Sequence, residues 1–320
     1  MHVRNQVVGK GKQRKSQIPS KGAQGSKSKP TKVPGIKYVL EQFTDVDLRR
    51  WKKTDSSLTE YNIRFFYHLE GQRASKRHDL LEALQTVKPV EYNIDQWVRM
   101  ASYKYSLNPL SSRGSLSLYG GRFNYGVDLD CASLTHFNAL YIASNQETAY
   151  IERLGPKGKG KLSRFDMALQ KEESFSTFIL EGHVYNLFDL TNANNLKPFI
   201  KVTNSFGISS EIRQMAIDLT IEKPKMIQKP RELKEHLMAA NWRYWPMQFD
   251  VPYNSQVFGE LLLRAGFDGV LYKSQYGSGK CMAIFPGNIN NSDSYIRILG
   301  DPPSDSVITT LDSETWEKLI

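Results

Sequence analysis

The positive excess of this chain lies entirely in its first 40 residues. That stretch holds Arg4, Lys10, Lys12, Arg14, Lys15, Lys21, Lys27, Lys29, Lys32 and Lys37 and no Asp or Glu. The 320-residue sequence has 43 Lys and Arg against 33 Asp and Glu, so removing those ten leaves a balanced remainder. The head is also rich in Gly, Ser, Gln and Pro. Such a segment cannot bury enough apolar surface to offset the entropy of ordering it. Residues 1–36 are expected to be a disordered basic arm, a solubilising or export-related extension, the alternatives being nonspecific contact with phosphate backbones or acidic partners and a noncatalytic module that holds nucleic acid through the arm. An electroneutral body argues against a DNA-binding domain, so specific nucleic-acid binding is not expected.

The remainder is long enough for a real core, and 40% hydrophobic residues with 11% aromatics fit a globular chain. No window reaches the roughly 18–20 apolar residues of a membrane span; even Leu261-Leu262-Leu263 is flanked by Glu260 and Arg264. No apolar run follows the basic head, so a standard secretory signal is not expected. Two cysteines, Cys131 and Cys281, make no disulfide framework and fit a reducing compartment. The expected site of action is the cytoplasm, whether the protein is made there or delivered into another cell.

From residue 37 to 92 the pattern is helical. Tyr38, Leu40, Phe43, Val46 and Leu48 form one apolar stripe and Asp79–Leu84 another, which predicts two or three short helices in an accessory region ended by Lys88-Pro89. From 93 to 320 short β-type runs alternate with helices: Trp97–Met100, Ala139–Ala143, Phe178–Leu180 and Val184–Leu187 as separate strands, and Gly269–Tyr272 paired with Cys281–Phe285 across the turn 274–280. Gln256–Ala265 reads as a helix facing inward through Val257, Leu261 and Leu262, with Gly266 as its C-cap. The fold class expected is α+β, without a regular βαβ repeat.

Two motifs fail on their own chemistry. Gly155–Lys161 imitates a phosphate-binding P-loop, but Leu162 stands where a hydroxyl should hold magnesium and a helix, not a strand, precedes it. The six histidines have no metal-ligand spacing with one another or with the cysteines, and nothing beside Cys131 and His136 marks an activated thiol. No metal site is expected. A more productive set remains. Gly120-Gly121-Arg122-Phe123-Asn124 is a glycine-framed loop that presents a guanidinium, able to grip phosphate oxygens on two prongs, and an amide. Tyr141 follows in an apolar strand, Glu152 ends the amphipathic segment 144–151, and Ser274 follows the strand after Gly266-Phe267-Asp268-Gly269.

This combination resembles the RES domain, a family named for an arginine, a glutamate and a serine at one site. The likeness runs from about Trp97 to Ile289: Trp97-Val98-Arg99, the loop at 120–124, Tyr141-Ile142-Ala143 with Ala149 and Glu152, and Gly266–Gly269 leading to Tyr272-Lys273-Ser274. This sequence departs in the longer stretch Tyr125–Leu140 and in Phe123, where Trp is common. The resemblance implies an ADP-ribosyltransferase-like fold and NAD consumption, by hydrolysis or phosphorolysis, or transfer of ADP-ribose to a macromolecule. NAD is then the substrate, inorganic phosphate a co-substrate in phosphorolysis, and no cofactor is called for. A cognate antitoxin or immunity protein is the implied partner. Glu152, Arg122 and Ser274 take the catalytic roles. Arg99, Gly121, Asn124 and Tyr141 take substrate-binding ones, with Arg113 a rival to Arg99. The residue types suit the reaction, because breaking the nicotinamide–ribose bond develops positive charge on the sugar, which a fixed carboxylate stabilises.

Overall fold

The computed structural model describes residues 45–129, 134–155, 175–302, 304–305 and 307–320. The expected basic arm, Cys131 and all but the first residue of Gly155–Lys161 lie outside the described residues. The chain divides into Met1–Leu48 and Arg49–Ile320, and every strand belongs to the second unit.

A single helix, α1 (Asp45–Ser75), runs for 31 residues, and α2 (Arg77–Gln85) adds nine. Two or three short helices were expected; the correction is that nothing in Asp45–Ser75 interrupts the helix. The stretch has no proline, and its one glycine, Gly71, is exposed. The apolar stripe begun at Tyr38 lies partly outside the described residues. Phe66 of α1 and Leu80 and Leu84 of α2 share one buried cluster with Phe188, Phe258 and Leu262 of the later chain. A buried ion network adds to this contact. Glu70 accepts from Arg73 at 2.8 Å and from Arg77 at 3.0 Å, and Arg77 lies 3.9 Å from Glu260. The expected boundary at 92/93 falls inside the first strand, β1 (Val90–Ser102).

Seven strands form one sheet: β1, β2 (Leu140–Ala143), β3 (Phe175–Asp189), β4 (Gly269–Lys273), β5 (Lys280–Ile284), β6 (Tyr295–Ile298) and β7 (Thr310–Leu311), in the order β1-β2-β5-β4-β3-β6-β7. β1 also pairs with β3, antiparallel from Val90↔Leu187 to Ser102↔Phe175, so five strands close into a ring. Where two strands were expected between 175 and 190 there is one. The strand continues through Gly182, which pairs with Ile94 on one side and Ile296 on the other. Its φ is +155°, and a Cβ there would lie 2.2 Å from the Tyr295 carbonyl oxygen, so only glycine lets β3 pass β6 at that point. In β1 the register shifts between Ile94 and Trp97, where Gln96 has φ 51°. The expected pairing of the strands around 269–272 and 281–285 is present as β4 with β5.

Side chains alternate between two cores, as strand geometry requires. Met282 and Ile284 join the cluster containing Trp97, Leu180 and Ile296, while Cys281 and Ala283 join the one built with α2 and α8 (Asn254–Arg264). Between them the chain adds α3 (Gln146–Leu154), α4 (Lys197–Thr203), α5 (Ser210–Asp218), α6 (Pro230–Leu237) and α7 (Tyr244–Phe249). Two short helices, α9 (Pro286–Ile289) and α10 (Trp316–Leu319), follow α8.

α8 begins and ends within two residues of expectation, but every residue from Ser255 to Leu262 is buried, not one face alone. It lies so close to the loop at 120–126 that a Cβ on Gly259 would come 2.1 Å from the Phe123 carbonyl oxygen. Gly259→Ala is therefore expected to lower unfolding free energy by about 1–3 kcal/mol in urea titration, through the backbone shift it forces. Gly71→Ala, in an exposed helix interior with no atom within 4 Å of the new methyl, is expected to raise it by roughly 0.5–1 kcal/mol.

Candidate active site

The loop at 119–126 is held by two buried amides. Asn124 is fully buried. Its Oδ1 accepts from the Gly121 N–H at 3.0 Å and the Tyr141 hydroxyl at 2.8 Å. Its Nδ2 donates to the carbonyls of Ser115 at 2.9 Å and Phe137 at 3.1 Å. From α8, Gln256 Nε2 donates to the carbonyls of Tyr119, Gly121 and Asn124 at 2.7, 3.0 and 3.0 Å. Gly121 has no room for a side chain, since a Cβ would fall 2.4 Å from the Tyr141 hydroxyl, which itself accepts from the Phe123 N–H at 2.9 Å. Loop, strand β2 and helix α8 thus fix one another, and Arg122 is the side chain the loop presents.

Glu152 reaches the same place from α3. The Asn145 side chain caps this helix by accepting from the Thr148 N–H at 2.9 Å. Thr148 and Ala149 are its buried positions, and Glu152 lies four and three residues beyond them, so it shares their face. The β4–β5 turn presses on that face, where a Cβ on Gly279 would lie 2.2 Å from Thr148 Oγ1. Ser274 Oγ donates to Glu152 Oε1 at 2.6 Å, and the Gln275 N–H donates to the same oxygen at 3.1 Å. Ser274 Oγ in turn accepts from the N–H groups of Gly277 at 2.9 Å and Tyr276 at 3.2 Å. Its proton and its lone pairs are engaged in aiming the carboxylate.

These residues border a cavity of about 240 Å³. Arg99, Gly121, Arg122, Tyr141 and Glu152 line it, and Ser274 joins through Glu152. Asn124 does not line it; its amide is engaged by Gly121, Tyr141, Ser115 and Phe137. Arg113 does not line the cavity; it is exposed and donates from Nε to the Ile320 carbonyl at 2.5 Å. The sequence reading missed Arg153, Trp242, Arg243 and Tyr276, and it gave Tyr272 no role. Arg153 was the most accessible of them, being adjacent to Glu152. Trp242 and Arg243 come from the connection between α6 and α7, where no local motif marks them.

Four arginines therefore face one carboxylate, the single acid among the lining residues. Arg122 is 5% exposed and donates to the Ala239 carbonyl at 2.9 Å and the Leu237 carbonyl at 3.3 Å, with its guanidinium 5.6 Å from the centre of a Trp242 ring. Arg243 lies at 5.0 Å from a Trp242 ring centre. Arg99 donates to the Ser111 carbonyl at 2.6 Å, while its Nε is buried with no partner. No carboxylate pairs with Arg99, Arg122 or Arg243 among the described residues. Burial, and then the Arg153 charge, push Arg99 down to about 9, and burial also lowers Arg243. Burial raises the Tyr141, Tyr272 and Cys281 groups, which keeps both phenols and the thiol protonated at neutral pH and unsuited to attack as anions.

A site with unpaired, partly desolvated cations is stabilised by a bound anion. Pyrophosphate or ADP is expected to raise the melting temperature of the wild type in a concentration-dependent way, and by less in Arg99→Gln. Equal shifts in both proteins would remove Arg99 from anion binding.

No family model matches the chain, and no curated protein does. Among solved structures, a chain of the M. tuberculosis MbcT–MbcA toxin–antitoxin complex is similar, at 14% sequence identity and a TM-score of 0.39, with 75% of this chain and 96% of that chain covered.

Proposed function

We propose that this chain is an NAD-consuming, toxin-like enzyme of the RES type, which cleaves the bond between nicotinamide and ribose. The observation that carries this reading is the oriented carboxylate of Glu152, bonded by Ser274 and the Gln275 N–H, as the one acid lining a cavity that four arginines also line.

The residues divide the work by charge. Arg99 and Arg122 offer guanidinium donors to the diphosphate and so hold the rest of the dinucleotide still. Tyr141 offers a ring beside the planar leaving group. As the C–N bond breaks, its electron pair leaves with nicotinamide and positive charge grows on the ribose carbon and ring oxygen. Glu152 meets that charge and accepts a hydrogen bond from a ribose hydroxyl. Water then adds to the ribose and loses a proton, giving ADP-ribose. With phosphate as acceptor, the product is ADP-ribose 1″-phosphate. Ser274 acts through Glu152 and is a positioning residue, because all of its bonding capacity goes to the turn and the carboxylate. Depletion of NAD would be the toxic effect, and a cognate antitoxin or immunity protein the natural partner.

Chromatography of NAD incubated with the purified protein, with and without phosphate, tests the reading. Nicotinamide release is expected from the wild type, at a rate lower by about 10²- to 10³-fold in Glu152→Gln. Ser274→Ala is expected to lose roughly tenfold or more, the worth of a hydrogen bond to a charged group. Phosphate dependence separates phosphorolysis from hydrolysis. Release only when cell lysate supplies an acceptor would reassign the enzyme to ADP-ribose transfer. Full activity in Glu152→Gln would exclude the mechanism.

A further inference from the structure

We propose that Ser112 and Arg113 are positioning residues for Arg99, which they aim through the Ser111 carbonyl by fastening the segment 111–113 to Leu319 and Ile320. The proposal rests on the role given above to Arg99 as a contact for the diphosphate. A guanidinium carries five N–H donors in one rigid plane, so a fixed acceptor for one of them constrains where the rest point. For Arg99 that acceptor is the Ser111 carbonyl, reached from Nη2 at 2.6 Å, while Nε is buried and has no partner. Arg99 and Ser111 both line the cavity. The aim of the free donors is therefore only as well defined as the backbone at Ser111.

That backbone belongs to no strand; Ser111 and Ser112 stand between β1 and β2, just before a single 3₁₀ turn, Arg113–Leu116. Its hold comes from the far end of the sequence. The Leu319 carbonyl accepts twice from Ser112, from the N–H at 2.8 Å and from Oγ at 3.1 Å. Arg113 Nε donates to the Ile320 carbonyl at 2.5 Å, and the Arg113 N–H donates to Ser111 Oγ at 3.3 Å. Ser112 is 1% exposed, so parting from Leu319 would strand a buried N–H and a buried hydroxyl. The Leu319 side chain is fully buried in one cluster with Trp97 and Leu110. Trp97 stands two residues before Arg99 and Leu110 one before Ser111, so both ends of the Arg99–Ser111 bond rest on the same packing. Arg113, the rival to Arg99 by sequence, thus serves the anion without touching it.

Calorimetric titration with ADP of the wild type, Ser112→Ala/Arg113→Gln, Arg99→Gln and the triple variant tests this as a double-mutant cycle. Ser112→Ala/Arg113→Gln is expected to bind ADP about three- to tenfold more weakly than the wild type. In the Arg99→Gln background the same pair of changes is expected to alter affinity by less than about twofold, because no guanidinium is left to aim. A clamp that served only the fold would lower stability in urea and weaken ADP equally in both backgrounds. Arg113→Gln alone, at an exposed residue, keeps the proposal falsifiable if loss of the Ser112 hydroxyl unfolds the chain. It is expected to weaken ADP about two- to threefold, again only where Arg99 is present. The proposal falls if the wild type does not bind ADP, if the paired variant binds as the wild type does, or if its loss is the same with and without Arg99. Arg99→Gln binding as tightly as the wild type would overturn it too, by removing Arg99 from anion binding. Nicotinamide release is read separately, so failure of the function proposed above and failure of the clamp are distinct results.

Discussion

Two amide side chains, Asn124 and Gln256, hold the backbone on which the candidate site is built. Both are fully buried; Asn124 ties the loop carrying Arg122 to Ser115, Phe137 and Tyr141, and Gln256 ties the same loop to α8. A buried amide that loses its partners costs more than its bonds contribute when made, so the loop has essentially one conformation compatible with the folded core. Tyr141 locks into the same network and Gly259 removes the spacing that a side chain would impose. The result is a guanidinium positioned by interior polar geometry and not by surface contacts.

The other half of the site relies on a different kind of order. Glu152 stands on a three-turn helix whose cap, Asn145, is local, but its orientation is set by Ser274, distant in sequence and brought near by the β4–β5 turn. Arginines from β1, the glycine loop, α3 and the α6–α7 connection meet around it. Such a group of like charges disfavours the empty state and rewards an anionic occupant, so affinity is written into the electrostatic deficit of the fold.

Legibility in the sequence followed the range of the interactions. The glycine loop, the strand of Tyr141, the helix of Glu152 and the turn at Ser274 were readable because each is specified by neighbours a few positions away. Their convergence was expected from the family likeness, and the geometry brings five of the seven named residues to the cavity wall, with Ser274 bonded to Glu152 and Asn124 to Gly121 and Tyr141. Trp242 and Arg243 left no trace, since nothing in Ala239–Tyr244 has a period or motif and their place depends on where α6 and α7 pack. Gln256 looked like an ordinary residue at the start of a helix. Two strands, Phe178–Leu180 and Val184–Leu187, were expected where β3 is continuous, because Gly182 between them lets two backbones pass. The long α1 was underestimated because its exposed turns lack an apolar stripe, the very signal by which helices are found.

The closure of five strands has a further consequence for how the protein behaves in a crowded solution. A flat sheet ends in two open ladders of N–H and C=O groups, each a template for pairing with another molecule. Here β1 reaches around to β3, and the order ends in β7, a strand of only two residues. With so little ladder in β7, that end of the order offers almost no template for strand addition.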